Sequence, residues 1–245
     1  GDDNLDIDWG YQGRLQHVIV QQSNDTGDHI VESDNTKSDT RNDVVWLTEP
    51  RSNPVVSNFT FISRGHDEIF KLKEGVSGQY YNGVAAVLNE ATPTLKKGCI
   101  ETTYTETTIQ DGASTPNFSF NSVAFDCPTS GSAGSSTMVT IGEESGSATV
   151  SQVEAIVKAG ANNLYAATSG GGTYEHSLGK ESVTGGNVNG TVVNGPTETA
   201  ATVTAIPAAY NTDSFFDTPT YIGAVSGATD NWYKVWTVPG SINLN

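Results

Sequence analysis

The sequence predicts an all-β chain, a right-handed parallel β-helix with one short α-helix and an irregular C-terminal cap. Three observations lead there. Glycine supplies 26 of 245 residues, methionine only one, and Ser, Thr, Asn and Asp punctuate short apolar runs, the composition of strands joined by turns. Two kinds of short strand alternate four times through residues 4–127. In the longer kind an asparagine recurs just before the last apolar stretch.

The short strands are NLDID (4–8), HIVESD (29–34), IFKLK (69–73) and CIETT (99–103). The longer ones are LQHVIV (15–20), VVSNFTFI (55–62), YYNGVAAVL (80–88) and FSFNSVAFDC (118–127). Asn58, Asn82 and Asn121 hold the recurring place, and His17 holds it in the first pair. One such pair cannot close a core, whereas stacked coils bury a continuous apolar column. Coils stack about 4.8 Å apart, so equivalent residues form ladders, and Asn58, Asn82 and Asn121 are expected to form an amide ladder at a corner. An antiparallel sandwich with ordinary turn asparagines is the competing reading.

Residues 1–127 are thus read as coils and 128–245 as a linker, a helix and a capping region packed on them. Segment 34–53 is a long polar insertion in the second coil, of the kind that often carries function. The repeat is expected to stop after Cys127, at PTSGSAGSS (128–136). Beyond it, Val150, Val153, Ile156 and Val157 recur at helical spacing, Ser147 or Ser151 can cap, and Gly160 sits where a helix would stop. Residues 168–205 read as loops and edge strands. The aromatics Phe215, Phe216, Tyr221, Trp232, Tyr233 and Trp236 are expected to plug the open end of the solenoid.

Charge narrows the partners. The 28 acidic and 12 basic residues give a net charge of −16, which repels nucleic acid and anionic membranes. Eleven acidic residues lie in the first fifty, so the N-terminal part carries the strongest negative field. Apolar runs fall far short of the roughly 20 residues of a membrane span. Cys99 and Cys127 are the two cysteines. In an exported protein they would form a disulfide, and in a cytosolic one two buried thiols; the acidic, lysine-poor, Ser/Thr/Gly-rich composition favours the bridge.

Aligning the short strands on Leu5, Val31, Phe70 and Ile100 gives two outward columns: Asp6, Glu32, Lys71, Glu101 and Asp8, Asp34, Lys73, Thr103. Stacked carboxylates repel unless a cation neutralises them. One reading is therefore a calcium site built from Asp6, Asp8, Glu32 and Asp34. The plain reading is a solvated ladder in which Lys71 and Lys73 make ordinary salt bridges. His17, His29, His66 and His176 occur singly with no zinc motif, so zinc is not expected and His17 reads as a corner residue. Trp9, Tyr11 and Trp46 are expected beside the acidic face, where rings can stack on sugars or on a partner chain. Asn24, Asn58, Asn117 and Asn189 stand in N-x-S/T contexts.

Several stretches carry a family likeness: DIDWGYQGRLQHVIVQQ, IVESDN, TEPRSNPVVSNFTFI, EIFKLKEGVSGQYYNGVAAV, SFFDTPTYIGAV and DNWYKVWT. They resemble the C-terminal part of secreted bacterial right-handed parallel β-helix proteins, many of them lipoproteins or surface proteins. The likeness covers most of 4–127, the helix at 147–160 and 213–238. More distantly the architecture is similar to that of pectate lyases and phage tailspikes. The resemblance implies an extracellular or cell-surface protein with a structural, adhesive or filament-forming role. The alternative it implies is a polysaccharide-binding or polysaccharide-lyase-type protein, with a lysine base in a groove. Family members usually begin with additional coils, so a preceding β-helix segment or another copy is expected against Leu5 and Ile7.

Overall fold

The computed structural model describes residues 2–22, 27–36, 46–63, 67–87, 98–103, 116–127, 138–141, 149–166, 173–174, 196–227 and 229–236. The chain alternates between two five-stranded sheets. The first holds the short strands β1 (Leu5–Ile7), β3 (Val31–Ser33), β5 (Phe70–Leu72), β7 (Ile100–Thr102) and β9 (Val139–Ile141), side by side in that order. The second holds β2 (Arg14–Gln21), β4 (Val55–Ser63), β6 (Gly78–Val87), β8 (Phe118–Asp126) and β10 (Leu164–Tyr165). Every pairing is parallel, which excludes the antiparallel sandwich. A parallel neighbour needs a crossover, and here each crossover runs through the other sheet.

The register of the short strands is Leu5, Val31, Phe70, Ile100 and Val139 in one column and Asp6, Glu32, Lys71, Glu101 and Thr140 in the next. Between the sheets lies a column of Phe59, Phe61, Phe70, Tyr80, Phe118, Phe120 and Phe125, all fully buried. Tyr80 and Phe120 stack with centroids 4.8 Å apart, and Phe70 meets both edge-on at 5.0 and 5.2 Å. Each of these rings carries its full apolar area out of water, the main stabilising term of a solenoid.

The long strands contain a step that strict alternation would not allow. Val56, Phe59 and Phe61 all enter the core, as do Phe120, Val123 and Phe125. The interval of three is absorbed by one left-handed residue: Asn58 (φ 50°), Asn82 (φ 52°) and, in the first coil, His17 (φ 57°). Asparagine tolerates this conformation better than other non-glycine residues. In the fourth coil the left-handed residue is Ser122 (φ 54°), and in the fifth Asn162 (φ 57°). Asn121 pairs instead with Tyr81, so it stands one place before the column. The expectation for Asn121 is corrected because position is set by which residues reach the core, not by the amide. Gly83 follows Asn82, and a Cβ there would fall 2.0 Å from the Phe59 ring, so only glycine lets that ring lie flat against the strand.

Among the described residues the corner amides do not bond to one another, although Asn58 Oδ1 accepts from Gln16 Nε2 of the neighbouring coil at 3.1 Å. The corner side chains hold the C-terminal segment. Asn58 Nδ2 donates to the carbonyl of Tyr221 at 3.0 Å. Asn82 clamps Thr204, donating to its carbonyl at 2.9 Å and accepting from its amide at 2.8 Å. Ser122 Oγ and Asn162 Nδ2 reach Thr204 Oγ1 at 2.7 and 3.2 Å. Phe216 packs on Val55 and Tyr81, and Ile222 on Val84 and Ala124. The C-terminal segment therefore runs along the outer face of the second sheet, which explains why all of β4 is buried on both faces. The expected aromatic plug is corrected for the described residues: Phe216 and Ile222 are buried against that face, while Trp236 remains 83% exposed.

Two further expectations change. The sheets continue past Cys127 through β9 and β10, which are too short to show the repeat in sequence. The helix α1 (Val150–Ala159) packs Val153 and Val157 into the core, and it is capped by Thr149 in a capping box with Gln152, not by Ser147 or Ser151. Cys99 and Cys127 form a disulfide. No helix among the described residues is long and apolar enough to cross a membrane.

Candidate functional site

Two regions carry chemistry. The first is the charged face before and along the short strands. Lys73 Nζ lies 2.6 Å from Glu32 Oε1 and 3.5 Å from Asp34 Oδ2, and Lys71 Nζ lies 3.6 Å from the same glutamate oxygen. Burial works against the Glu32 charge, but hydrogen bonds to Asp3 and Lys73 and the lysine charges bring its pKa down to about 2. Burial likewise disfavours the Lys73 charge, yet Glu32, Asp34 and Glu74 hold the ammonium above the ordinary lysine range. Asp34 goes the other way. Burial pushes its carboxyl up to about 7, with Lys73 opposing the rise and the neighbouring acids Glu74, Glu32 and Asp8 adding to it. Its Oδ1 is buried without a hydrogen bond.

Asp6, Asp8, Glu32 and Asp34 occupy the places their spacing implies, but their oxygens do not form a ligand cluster among the described residues. The Lys73 ammonium stands between Glu32 and Asp34, and Asp8 turns back to accept from the Trp9 amide at 2.6 Å.

The acids that do converge surround His29, whose side chain is 2% exposed. Its Nδ1 lies 3.3 Å from Asp3 Oδ1 and 3.4 Å from Asp28 Oδ1. Its Nε2 lies 3.3 Å from Asp67 Oδ1, 3.9 Å from Glu68 Oε2 and 3.8 Å from Glu101 Oε2. Burial alone would lower the imidazole pKa, but the facing carboxylates of Asp67, Glu101 and Asp28 raise it to about 10. The same contacts hold Asp67 well below the usual carboxylate range against its own burial. The sequence reading treated His29 as isolated. The signal was present, since the register that pairs Leu5 with Val31 and Phe70 puts Asp3, His29 and Glu68 in one column two residues earlier.

The second region is a polar groove with no counterpart in the sequence reading. It forms two adjoining hollows of about 430 and 280 Å³ that share Gln12, Asn53 and Tyr210. From the register of β2, β4, β6 and β8, Gln12, Asn53, Ser77 and Asn117 stack in successive coils. Arg51 stiffens the floor, donating from Nε to the Gly75 carbonyl at 2.8 Å and from Nη1 to Asn117 Oδ1 at 3.3 Å. Gly75 needs its positive φ of 75°, and a Cβ there would strike the Trp46 carbonyl. Asn53 Oδ1 has no hydrogen-bond partner. Segment 209–212 of the C-terminal region forms one wall, tied down by Arg14, which bonds Asp213 and lies over the Phe215 ring.

Aromatic residues flank this groove unequally. The turn carrying Trp9 (71% exposed) and Tyr11 (40% exposed) stacks on 51–53, with Gly10 N donating to Ser52 Oγ at 2.9 Å and Asn53 N to the Tyr11 carbonyl at 2.8 Å. Trp46 is fully buried, which corrects its expected place on the surface. Asn35 pins the returning insertion, donating from Nδ2 to the carbonyls of Trp46 and Thr48 at 2.6 and 2.9 Å. Residues 37–45, Arg64, His66 and His176 lie outside the described residues, as do Asn24 and Asn189. Asn58 and Asn117 are buried and closed to glycosylation.

No curated protein and no solved structure matches this chain. One family does, described as a pectate-lyase like beta helix domain, over residues 1–173. The match takes in β1 to β10 and α1, and with them the charged face and all of the groove except the wall at 209–212. With parallel strands stacked in two sheets around one aromatic column, the chain belongs to the pectate-lyase like beta helix family.

Proposed function

We propose that this protein is a carbohydrate-binding surface β-helix, acting outside the cytosol, whose groove at Gln12, Asn53, Ser77 and Asn117 takes a neutral polysaccharide. The carrying observation is that column of amide and hydroxyl groups, repeated across four coils inside a groove. Steps of about 4.8 Å between coils set amide and hydroxyl side chains at a regular interval along the axis on which an extended polymer can lie. Amides and hydroxyls match sugar hydroxyls, and exposed Trp9 and Tyr11 at the rim suit stacking on sugar faces. A net charge of −16 favours a neutral polymer over an acidic one. The disulfide accords with an oxidising compartment. Parallel crossovers favour a right-handed winding.

The lyase alternative loses support at its proposed base. A lysine base needs a lowered pKa, and Lys73 is held charged by Glu32 and Asp34. Calorimetric titration with neutral and acidic oligosaccharides tests the reading. Neutral oligomers are expected to bind without turnover, with affinity rising from two to four sugar units, and Asn53→Ala combined with Gln79→Ala, Gln79 being a lining residue of the smaller hollow, should weaken binding at least tenfold. Release of unsaturated uronate from an acidic polymer would restore the lyase.

End-to-end association is the second reading, favoured by one feature of the first coil. Leu15, Val18 and Val20 of β2 are only half-buried, and β1 and β2 are the outer strands of their sheets. Light scattering across a hundredfold concentration range tests it, and an unchanging monomer mass would reject it.

A further inference from the structure

The His29 pocket joins three successive coils. His29 precedes β3, Asp67 and Glu68 precede β5, and Glu101 lies on β7. One donor atom from each of the four falls within 4.8 Å of every other. An acidic cluster alone would mean little. Here, however, His29 Nε2 is buried, makes no hydrogen bond, and points at three carboxylate oxygens 3.3, 3.9 and 3.8 Å away.

Those separations have a chemical meaning. Four ligands around a tetrahedral ion with bonds of about 2.0–2.2 Å stand roughly 3.3–3.6 Å apart. The Nε2-to-oxygen distances therefore need adjustments of only a few tenths of an ångström. The opposite face of the ring is arranged as metal-bound histidines usually are: Nδ1 faces Asp3 Oδ1 at 3.3 Å, and the same oxygen accepts from the His29 amide at 3.0 Å, fixing the ring's direction. Asp67 Oδ1 is itself oriented by the Glu68 amide at 3.0 Å.

We infer that His29 Nε2, Asp67, Glu68 and Glu101 form a binding site for a divalent transition-metal ion, with Asp3 as the residue that positions the imidazole. An imidazole nitrogen among compactly spaced oxygens selects zinc or manganese over calcium, which takes six to eight oxygens at longer bonds. The ion would clamp coils two, three and four on the face opposite the C-terminal segment. The site is distinct from the calcium set expected from Asp6, Asp8, Glu32 and Asp34, and it does not depend on the sugar groove.

The test uses the full chain stripped with chelator and titrated with zinc, manganese and calcium, reading stoichiometry by calorimetry and metal analysis and stability by thermal melting. Zinc is expected to bind one per chain and raise Tm, with calcium at least a hundredfold weaker. His29→Gln should abolish tight binding, and Glu101→Gln, at a partly exposed position, should weaken it at least tenfold. Asp3→Asn should weaken it by about 10–100-fold, the usual effect of removing a ligand's orienting carboxylate. For the wild type, the imidazole nitrogen resonances of His29 should move on zinc addition. Absence of bound zinc in the folded wild type, or affinity unchanged in both Glu101→Gln and His29→Gln, overturns the site.

Discussion

Two buried groups on the charged face, His29 and Asp34, hold their protons more tightly than in an unfolded chain. His29, with a folded-state pKa of about 10, binds its proton more tightly than an unfolded histidine at about 6.5. Its stabilising effect is therefore complete below about pH 6.5 and is lost as pH rises toward 10, at no more than about 1.4 kcal/mol per pH unit. Urea unfolding in chelator should show His29→Gln most destabilising at pH 6 and progressively less so at pH 8 and 10; a difference that stays constant with pH would reject the charged imidazole. Asp34 is raised to about 7 by burial, above the roughly 3.9 of an unfolded aspartate. Protonation of Asp34 stabilises the fold below about pH 4, and that effect is lost between pH 4 and 7. Asp34→Asn should accordingly raise the melting temperature at pH 8 and change it little at pH 4.

At the scale of the element, the left-handed corner residue does two jobs. It shifts the inward phase of the long strand and aims a side chain at the C-terminal segment. Asn82→Ala removes both bonds to Thr204 and the conformational preference, with an expected cost of about 2–3 kcal/mol. Asn82→Gly retains the backbone geometry, so it should release the segment while leaving the coils intact. Hydrogen exchange at the Thr204 amide distinguishes the two effects: faster exchange is expected in both variants, and unchanged protection in Asn82→Gly would mean the clamp contributes nothing. The helix α1 offers a simpler case. Thr149→Ala breaks its capping box and should cost about 1 kcal/mol in denaturant unfolding.

For the whole molecule, stability is the sum of coil-to-coil interfaces, with the disulfide closing a single coil and the C-terminal segment fastening several at once. Cys99 precedes β7 and Cys127 follows β8, so the bridge closes the fourth coil on itself across 28 positions. Losing it should cost about 3–4 kcal/mol in the loop-entropy description. Replacing both cysteines by alanine and comparing urea midpoints measures this, and a loss below 1 kcal/mol would show that the aromatic column alone holds the coil closed.

The strands, their alternation between two sheets and the columns from Leu5 to Ile100 were legible in the sequence, because period-two patterning and repeated apolar positions are local properties of the chain. So was the facing of Lys71 and Lys73 on Glu32 and Asp34, which follows from register. The sequence alone determined the stacked parallel strands and the charged face along the short ones. Only the tertiary structure decided that Ser122 and not Asn121 takes the corner, that the C-terminal segment lies along the second sheet, that Trp46 is buried and that His29 draws in acids from three other coils. Those outcomes depend on which side chains reach the core and on contacts between residues far apart in the chain. Spacing along one strand carries no record of them.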